Sequence, residues 1–75
     1  MPADDRSRAL AARWLASAQG DLALARAADR DAEAPTRGVA HFVQQALEKG
    51  LKSMLVLDQI DFPKTHDLAV LAGLV

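Results

Sequence analysis

Four polar residues recur at helical spacing in the middle of the chain. They are His41, Gln45, Glu48 and Lys52, which are separated by four, three and four positions. On a helix these residues share one face, and Lys49 flanks it. An imidazole, an amide, a carboxylate and an ammonium side by side can hydrogen-bond a phosphate, a nucleobase or a polar partner. The alternative is a solvated face on which Glu48 and Lys52 form an exposed ion pair of little energetic weight.

A second polar pair follows the Phe62-Pro63 segment. His66 and Asp67 stand where a further helix is expected to begin, and the free backbone N–H groups of a helix N-terminus favour anions. One interpretation makes both residues part of a nucleotide or RNA site. The other makes Asp67 a surface acid favoured by the helix dipole, with His66 fixing the loop.

Several other chemistries lack the residues they need. The sequence has no Cys, no Gly-rich phosphate loop and no Ser-His-Asp order. His41 and His66 lack the close spacing that places two ligands on one helix face, so we expect no metal site and no cofactor. A modest basic patch or ordinary surface lysines equally explain Lys49, Lys52 and Lys64.

The apolar pattern places these residues on helices. We predict a first helix from about Asp5 to Asp29, capped by Asp4 or Asp5. Trp14 is expected in its core, with base stacking as the alternative. Its apolar face comprises Ala11, Leu15, Ala18, Leu22 and Ala25. Its opposite side carries Arg6, Arg13, Asp21 and Arg26.

A second helix is predicted from about Arg37 to Leu57, with Thr36 as its N-cap. It follows a polar connection from Arg30 to Pro35, where the proline discourages a helical conformation at Ala34. Its broad apolar face consists of Val39, Phe42, Val43, Ala46, Leu47, Gly50, Leu51, Met54 and Leu55. The glycine on this face predicts a close helix crossing.

A third helix is predicted after the loop from Asp58 to Thr65. Thr65 is expected to cap this helix, which would begin with His66, Asp67 and Leu68. Its apolar stripe consists of Leu68, Leu71, Ala72 and Val75.

Composition limits the classes of protein that fit. The chain has 75 residues and no disulfide-forming Cys, so its core is small and we expect it to oligomerise. Hydrophobic residues make up 51% and aromatic residues 4%, which favours helices over strands. A net charge of -1 argues against a free-standing DNA binder driven by charge alone. The N-terminal residues do not resemble a signal peptide, so we expect a cytoplasmic protein.

Three ordered pieces of the sequence resemble the HEPN domain. They are a Trp followed by Asp-Leu, a Gln-Gln-Ala-x-Glu-Lys-x-x-Lys run, and Thr-His-Asp-Leu after a proline-containing loop. The matching positions are Trp14, Asp21, Leu22, Phe42, Gln44, Gln45, Ala46, Glu48, Lys49, Lys52, Pro63, Thr65, His66, Asp67, Leu68 and Leu71.

The resemblance implies an all-α, up-and-down helical bundle that commonly dimerises. Residues 1–75 would form one such domain, incomplete at the C-terminus. Family members often accompany a minimal nucleotidyltransferase, frequently as the toxin of a toxin–antitoxin pair. Many are metal-independent ribonucleases with an Arg and a His separated by four to six residues. Arg37 and His41 have three residues between them, so we assign no catalytic residue.

Three functions therefore remain open. The first is a nucleotide- or nucleic-acid-associated partner of a minimal nucleotidyltransferase. The second is a ribonuclease whose Arg and His lie outside this chain, and the third is a purely structural helical oligomer. The residues predicted to bind a ligand or partner are His41, Gln45, Glu48, Lys49, Lys52, His66 and Asp67.

Overall fold

The computed structural model describes residues 4–33 and 35–75 and confirms the all-α fold within them. Helix α1 is Asp5–Arg30, α2 is Thr36–Leu57 and α3 is Leu68–Leu74. The first two helices run antiparallel, and α3 packs against α2. The effect expected of Pro35 on Ala34 lies outside the described residues. Within the described ranges, no helix is long and apolar enough to cross a membrane.

Helix α1 begins at an aspartate cap, as its sequence predicts. Asp4, rather than Asp5, is the capping residue, because its carboxylate accepts the backbone N–H of Ser7 at 2.7 Å. This hydrogen bond stabilises the charged form and lowers the pKa of Asp4. The cap satisfies one of the backbone donors that every helix N-terminus leaves free.

Alanines at seven-residue spacing form the centre of the contact between α1 and α2. Ala11, Ala18 and Ala25 are all buried, and their small side chains let the helices approach closely. Leu15 and Leu22, which were predicted to share this buried face, are 48% and 38% exposed. The prediction is wrong for these leucines because the alanines occupy the line of closest approach and the leucines lie beside it.

Helix α2 buries polar residues and exposes several apolar ones. Glu48, Lys52 and Ser53 are buried together with Leu55. The Ser53 hydroxyl donates a hydrogen bond to the backbone carbonyl of Ala11 at 2.9 Å, which satisfies a buried polar group across the helix pair. The predicted apolar face is therefore only partly buried. Three of its residues remain exposed, namely Val43, Leu47 and Met54.

Helix α2 begins one residue earlier than predicted and ends at Leu57, as predicted. Pro35 is the N-cap and Thr36 is the first helical residue, without a side-chain capping bond. At the other end Gln59 has φ +56°, and Ile60 donates to the carbonyl of Leu55 at 2.9 Å. This is the left-handed helix ending at which glycine is usual. The close crossing predicted at Gly50 is not observed in this chain, because an added Cβ would meet nothing within 4 Å.

Helix α3 begins two residues later than predicted. Asp67, rather than Thr65, is its N-cap, and its carboxylate accepts from Ala69 and Val70 at 2.9 and 3.4 Å. Thr65 supports this cap by accepting the backbone N–H of Asp67 at 3.0 Å. Leu71 anchors the helix and is fully buried.

Candidate functional site

One cleft collects most of the polar residues that the sequence singles out. It lies where α1, α2 and the segment from 58 to 67 meet, and it has a volume of about 370 Å³. We call it the cationic cleft. Its lining residues are Trp14, Gln45, Glu48, Lys49, Lys52, Phe62, Lys64, Thr65 and His66.

Glu48 is the central residue of the cationic cleft. Its side chain is 3% exposed and accepts from two partners. Lys52 Nζ, one helical turn later, lies 3.2 Å from Oε2. His66 Nδ1 lies 2.9 Å from Oε1 and 3.1 Å from Oε2. The predicted Glu48–Lys52 pair is thus confirmed, but it is buried. The alternative of a solvated face is therefore wrong for these two residues.

The charge of Glu48 determines how the imidazole is oriented. Burial by itself would raise the pKa of Glu48, but the hydrogen bonds from His66 and Lys52 and their charges outweigh burial and lower that pKa. An ionised carboxylate only accepts hydrogen bonds, so Nδ1 of His66 must carry a proton. The His66 side chain is 81% exposed. Its other nitrogen, Nε2, is therefore left exposed to a ligand.

Two aromatic rings lie close to the Lys52 ammonium. Its ammonium lies 5.2 Å from the centroid of the Trp14 ring and 6.0 Å from that of Phe62, within the range of cation–π attraction. Trp14 was predicted to be a core residue, but it is only half-buried and lines the cleft. Base stacking, which was the alternative, stays a prediction.

The other two lysines of the cleft differ in their surroundings. Lys49 Nζ lies 2.7 Å from Asp21 Oδ2, but the two groups do not have the geometry of a hydrogen bond, so the contact is an ion pair. Asp21 was predicted on the side of α1 away from the core, but its side chain is only 15% exposed. Among residues 4–33 and 35–75, Lys64 forms no ion pair and is exposed. Lys64 is thus the cation of the cleft that an anion can reach most directly.

The structure brings five of the seven predicted site residues together. They are Gln45, Glu48, Lys49, Lys52 and His66. His41 lies outside the cationic cleft, exposed and edge-on to Phe42 with ring centroids 5.8 Å apart. Asp67 is also outside and caps α3. A ligand-binding role for any of the seven remains a prediction.

Sequence reasoning did not assign Phe62, Thr65 or Asp21 to the site. Phe62 and Thr65 come from the segment between α2 and α3, and helical periodicity contains no information about where such a segment folds. Asp21 lies on α1, so its pairing with Lys49 depends on the register of two helices. The signal that could have identified two of them was the resemblance to the HEPN domain, because Thr65 and Asp21 are both among its matching positions.

Comparison with known proteins gives one match. A family model described as HEPN domain matches residues 11–75. No curated protein and no solved structure matches the chain. The matched range contains every residue that lines the cationic cleft.

Proposed function

Since the chain belongs to the HEPN domain family and is a HEPN-type nucleic-acid-associated module, we propose that its cationic cleft binds the phosphate of a nucleotide or of single-stranded RNA. The single observation that carries the proposal is the grouping of three lysines, an outward-facing imidazole and two aromatic rings around one cleft.

The charges of the cleft favour an anion of limited size. Lys52 is neutralised by Glu48, and Lys49 is paired with Asp21. The charge available to a ligand therefore comes mainly from Lys64, and Nε2 of His66 donates a hydrogen bond to a phosphate oxygen when it carries a proton. One cation suits one phosphate better than a long duplex, which agrees with the overall net charge of -1. Trp14 and Phe62 supply faces on which an unstacked base can lie.

The experiment that tests the proposal measures the binding of a fluorescein-labelled decameric RNA by anisotropy. We expect Lys64→Ala to weaken binding and to reduce the slope of log affinity against log salt by about 0.7, the value for one contact with a single strand. Arg26→Ala is the matched control, because it removes one exposed cation of α1 that does not line the cleft. Equal effects of the two substitutions, or no binding by the unmodified protein, would contradict the proposal.

The finer role that we propose is that of the partner, on the toxin side, of a minimal nucleotidyltransferase. Its support is the family membership. The test is to co-express the chain with a neighbouring nucleotidyltransferase gene and to ask whether the two proteins co-purify at a defined stoichiometry. If the purified nucleotidyltransferase does not bind the chain, this role is excluded, whereas the proposal that the cationic cleft binds phosphate is not affected.

We also propose that the chain forms a homodimer through its exposed apolar residues. Its accessible surface is 5370 Å², whereas a compact monomer of 8.0 kDa has roughly 4,450 Å². The excess of roughly 900 Å² is close to the area that each partner buries in a standard interface. The exposed side chains on α1 and α2 include Leu15, Leu22, Val43, Leu47 and Met54. Sedimentation equilibrium should give twice the monomer mass, and Leu47→Lys should return the protein to the monomer.

The Glu48–His66 pair favours a second candidate function, metal-independent RNA cleavage. A buried carboxylate that fixes an imidazole with its other nitrogen free is the arrangement of a general base. Such a base would take the proton of a ribose 2′-hydroxyl as the 2′-oxygen attacks the neighbouring phosphorus. A 2′,3′-cyclic phosphate forms, the bond from phosphorus to the 5′-oxygen breaks, and the leaving 5′-oxygen takes a proton from water. The test is to incubate RNA with the protein in EDTA. His66→Ala should abolish cleavage and added imidazole should restore it, whereas intact RNA after long incubation would exclude this function.

A further inference from the structure

A second cleft adjoins the cationic cleft and shares its two aromatic residues. It has a volume of about 600 Å³, within the usual range for small-molecule sites. Trp14 and Phe62 line both clefts. The remaining lining residues of this second cleft are Ser7, Leu10, Val56, Gln59, Ile60 and Asp61. Apolar and aromatic residues therefore line this cleft together with a small set of polar ones.

The charges of the two clefts have opposite signs. The second cleft contains one ionisable side chain, the exposed carboxylate of Asp61, and no cation among its lining residues. The cationic cleft contains three lysines against Glu48. A nucleotide placed across Trp14 and Phe62 would thus have its phosphate attracted to one side and repelled from the other. This polarity orients the ligand with its base in the second cleft.

The polar groups of the second cleft can distinguish bases. A carboxylate accepts two parallel N–H groups, and guanine is the common base that presents two adjacent donors, N1–H and the 2-amino group. Adenine and cytosine place an acceptor beside their amino groups, and uracil places acceptors on both sides of its N–H. The amide of Gln59 can donate to O6, the remaining acceptor on that edge of guanine.

The backbone of Gln59 gives independent support. This residue adopts φ +56°, where glycine would be favoured, and it lines the second cleft. Residues held in such conformations concentrate at binding sites. A glycine would end α2 with less strain, but it would remove the amide from the cleft.

We propose that the second cleft is a nucleobase subsite selective for guanine, with Asp61 and Gln59 as the residues that determine the selectivity. This inference rests on the proposed function, because the phosphate must be bound in the cationic cleft. A cationic ligand is the alternative that aromatic rings and a carboxylate also suit. It is disfavoured because the Lys52 ammonium already lies near both rings, and like charges close to the same rings repel.

The test uses the fluorescence of Trp14, the one Trp of the chain, to follow binding of nucleoside monophosphates. We expect the guanine nucleotide to bind about tenfold more tightly than the adenine, cytosine and uracil nucleotides, as one bidentate contact allows. The hypoxanthine nucleotide, which lacks the 2-amino group, should bind several-fold more weakly than the guanine nucleotide.

Variants separate this inference from the proposed function. Asp61→Asn should reduce the preference for guanine to less than threefold, whereas the control Asp58→Asn, at an exposed acid outside both clefts, should retain it. Gln59→Gly should weaken guanine nucleotide binding several-fold while leaving the protein at least as stable. Equal affinities for all four nucleotides would overturn the base subsite alone. Absence of any nucleotide binding would overturn the base subsite, and absence of both nucleotide and RNA binding would overturn both proposals. Tighter binding of tetramethylammonium than of nucleotides would overturn the base subsite in favour of the cationic alternative.

Discussion

Replacing Lys52 by methionine tests whether the buried charges of the cationic cleft depend on one another. Methionine keeps most of the apolar stem against Trp14 but removes the ammonium. The side chains of Lys52 and Glu48 are 8% and 3% exposed, and breaking a buried pair usually costs about 3–5 kcal/mol. We expect about 3 kcal/mol, at the lower end, because His66 continues to donate to the carboxylate.

The assays are urea unfolding and thermal unfolding, both followed by circular dichroism at one fixed protein concentration. A loss of about 3 kcal/mol corresponds to a fall in Tm of roughly 12–24 °C for a domain of this size. The double variant Glu48→Gln/Lys52→Met removes both charges and should recover most of the lost stability. Arg8→Met is the control, because it breaks the exposed pair with Asp5 and should change stability by less than about 0.5 kcal/mol. If Lys52→Met costs no more than Arg8→Met, the account of a charged, buried centre is wrong.

Three further predictions follow from other contacts. Folding lowers the pKa of Glu48, so the ionised carboxylate stabilises the folded protein above the ordinary value of 4.5, and this stabilisation is lost as the pH falls below it. The urea midpoint should therefore drop between about pH 5 and pH 3, and the drop should be smaller in the Glu48→Gln/Lys52→Met double variant. Gln59→Gly should raise the free energy of unfolding by about 0.5–1 kcal/mol. The substitution removes the strain of a left-handed backbone conformation, and this strain energy is larger than the entropic cost of the extra freedom that glycine gives the unfolded chain. Ala18→Leu should destabilise the protein by about 1–3 kcal/mol by forcing α1 from α2, whereas Ala12→Leu, at an exposed position, should have little effect on thermal unfolding.

The helices could be predicted from sequence because their signals are local. Apolar periodicity gave the bounds of α1 and α2 within a residue, and Asp4 supplied a visible cap. The start of α3 was predicted two residues early. Both Thr65 and Asp67 are capping residue types, and which of them caps the helix depends on the loop that carries them.

The burial pattern could not be predicted because it depends on how the helices face each other. Periodicity treated Leu15 and Leu47 as core residues, whereas the contact follows the alanines of α1 and leaves both leucines exposed. The same geometry turns Glu48 inward, where polarity alone suggested solvent. The partnership of Glu48 with His66, 18 positions later, depends on a loop whose path no periodic pattern specifies.

The most direct test of the central claim uses the two histidines of the chain as site and control. Imidazole nitrogen shifts would be recorded by NMR while a guanine nucleotide or a short RNA is added. His66 lies in the cationic cleft, with its Nδ1 held by Glu48, and His41 lies outside it. We predict that Nε2 of His66 shifts with a saturable dependence on ligand concentration while both nitrogens of His41 stay unchanged. A shift confined to His41, or no shift at either histidine, would contradict a phosphate site in the cationic cleft.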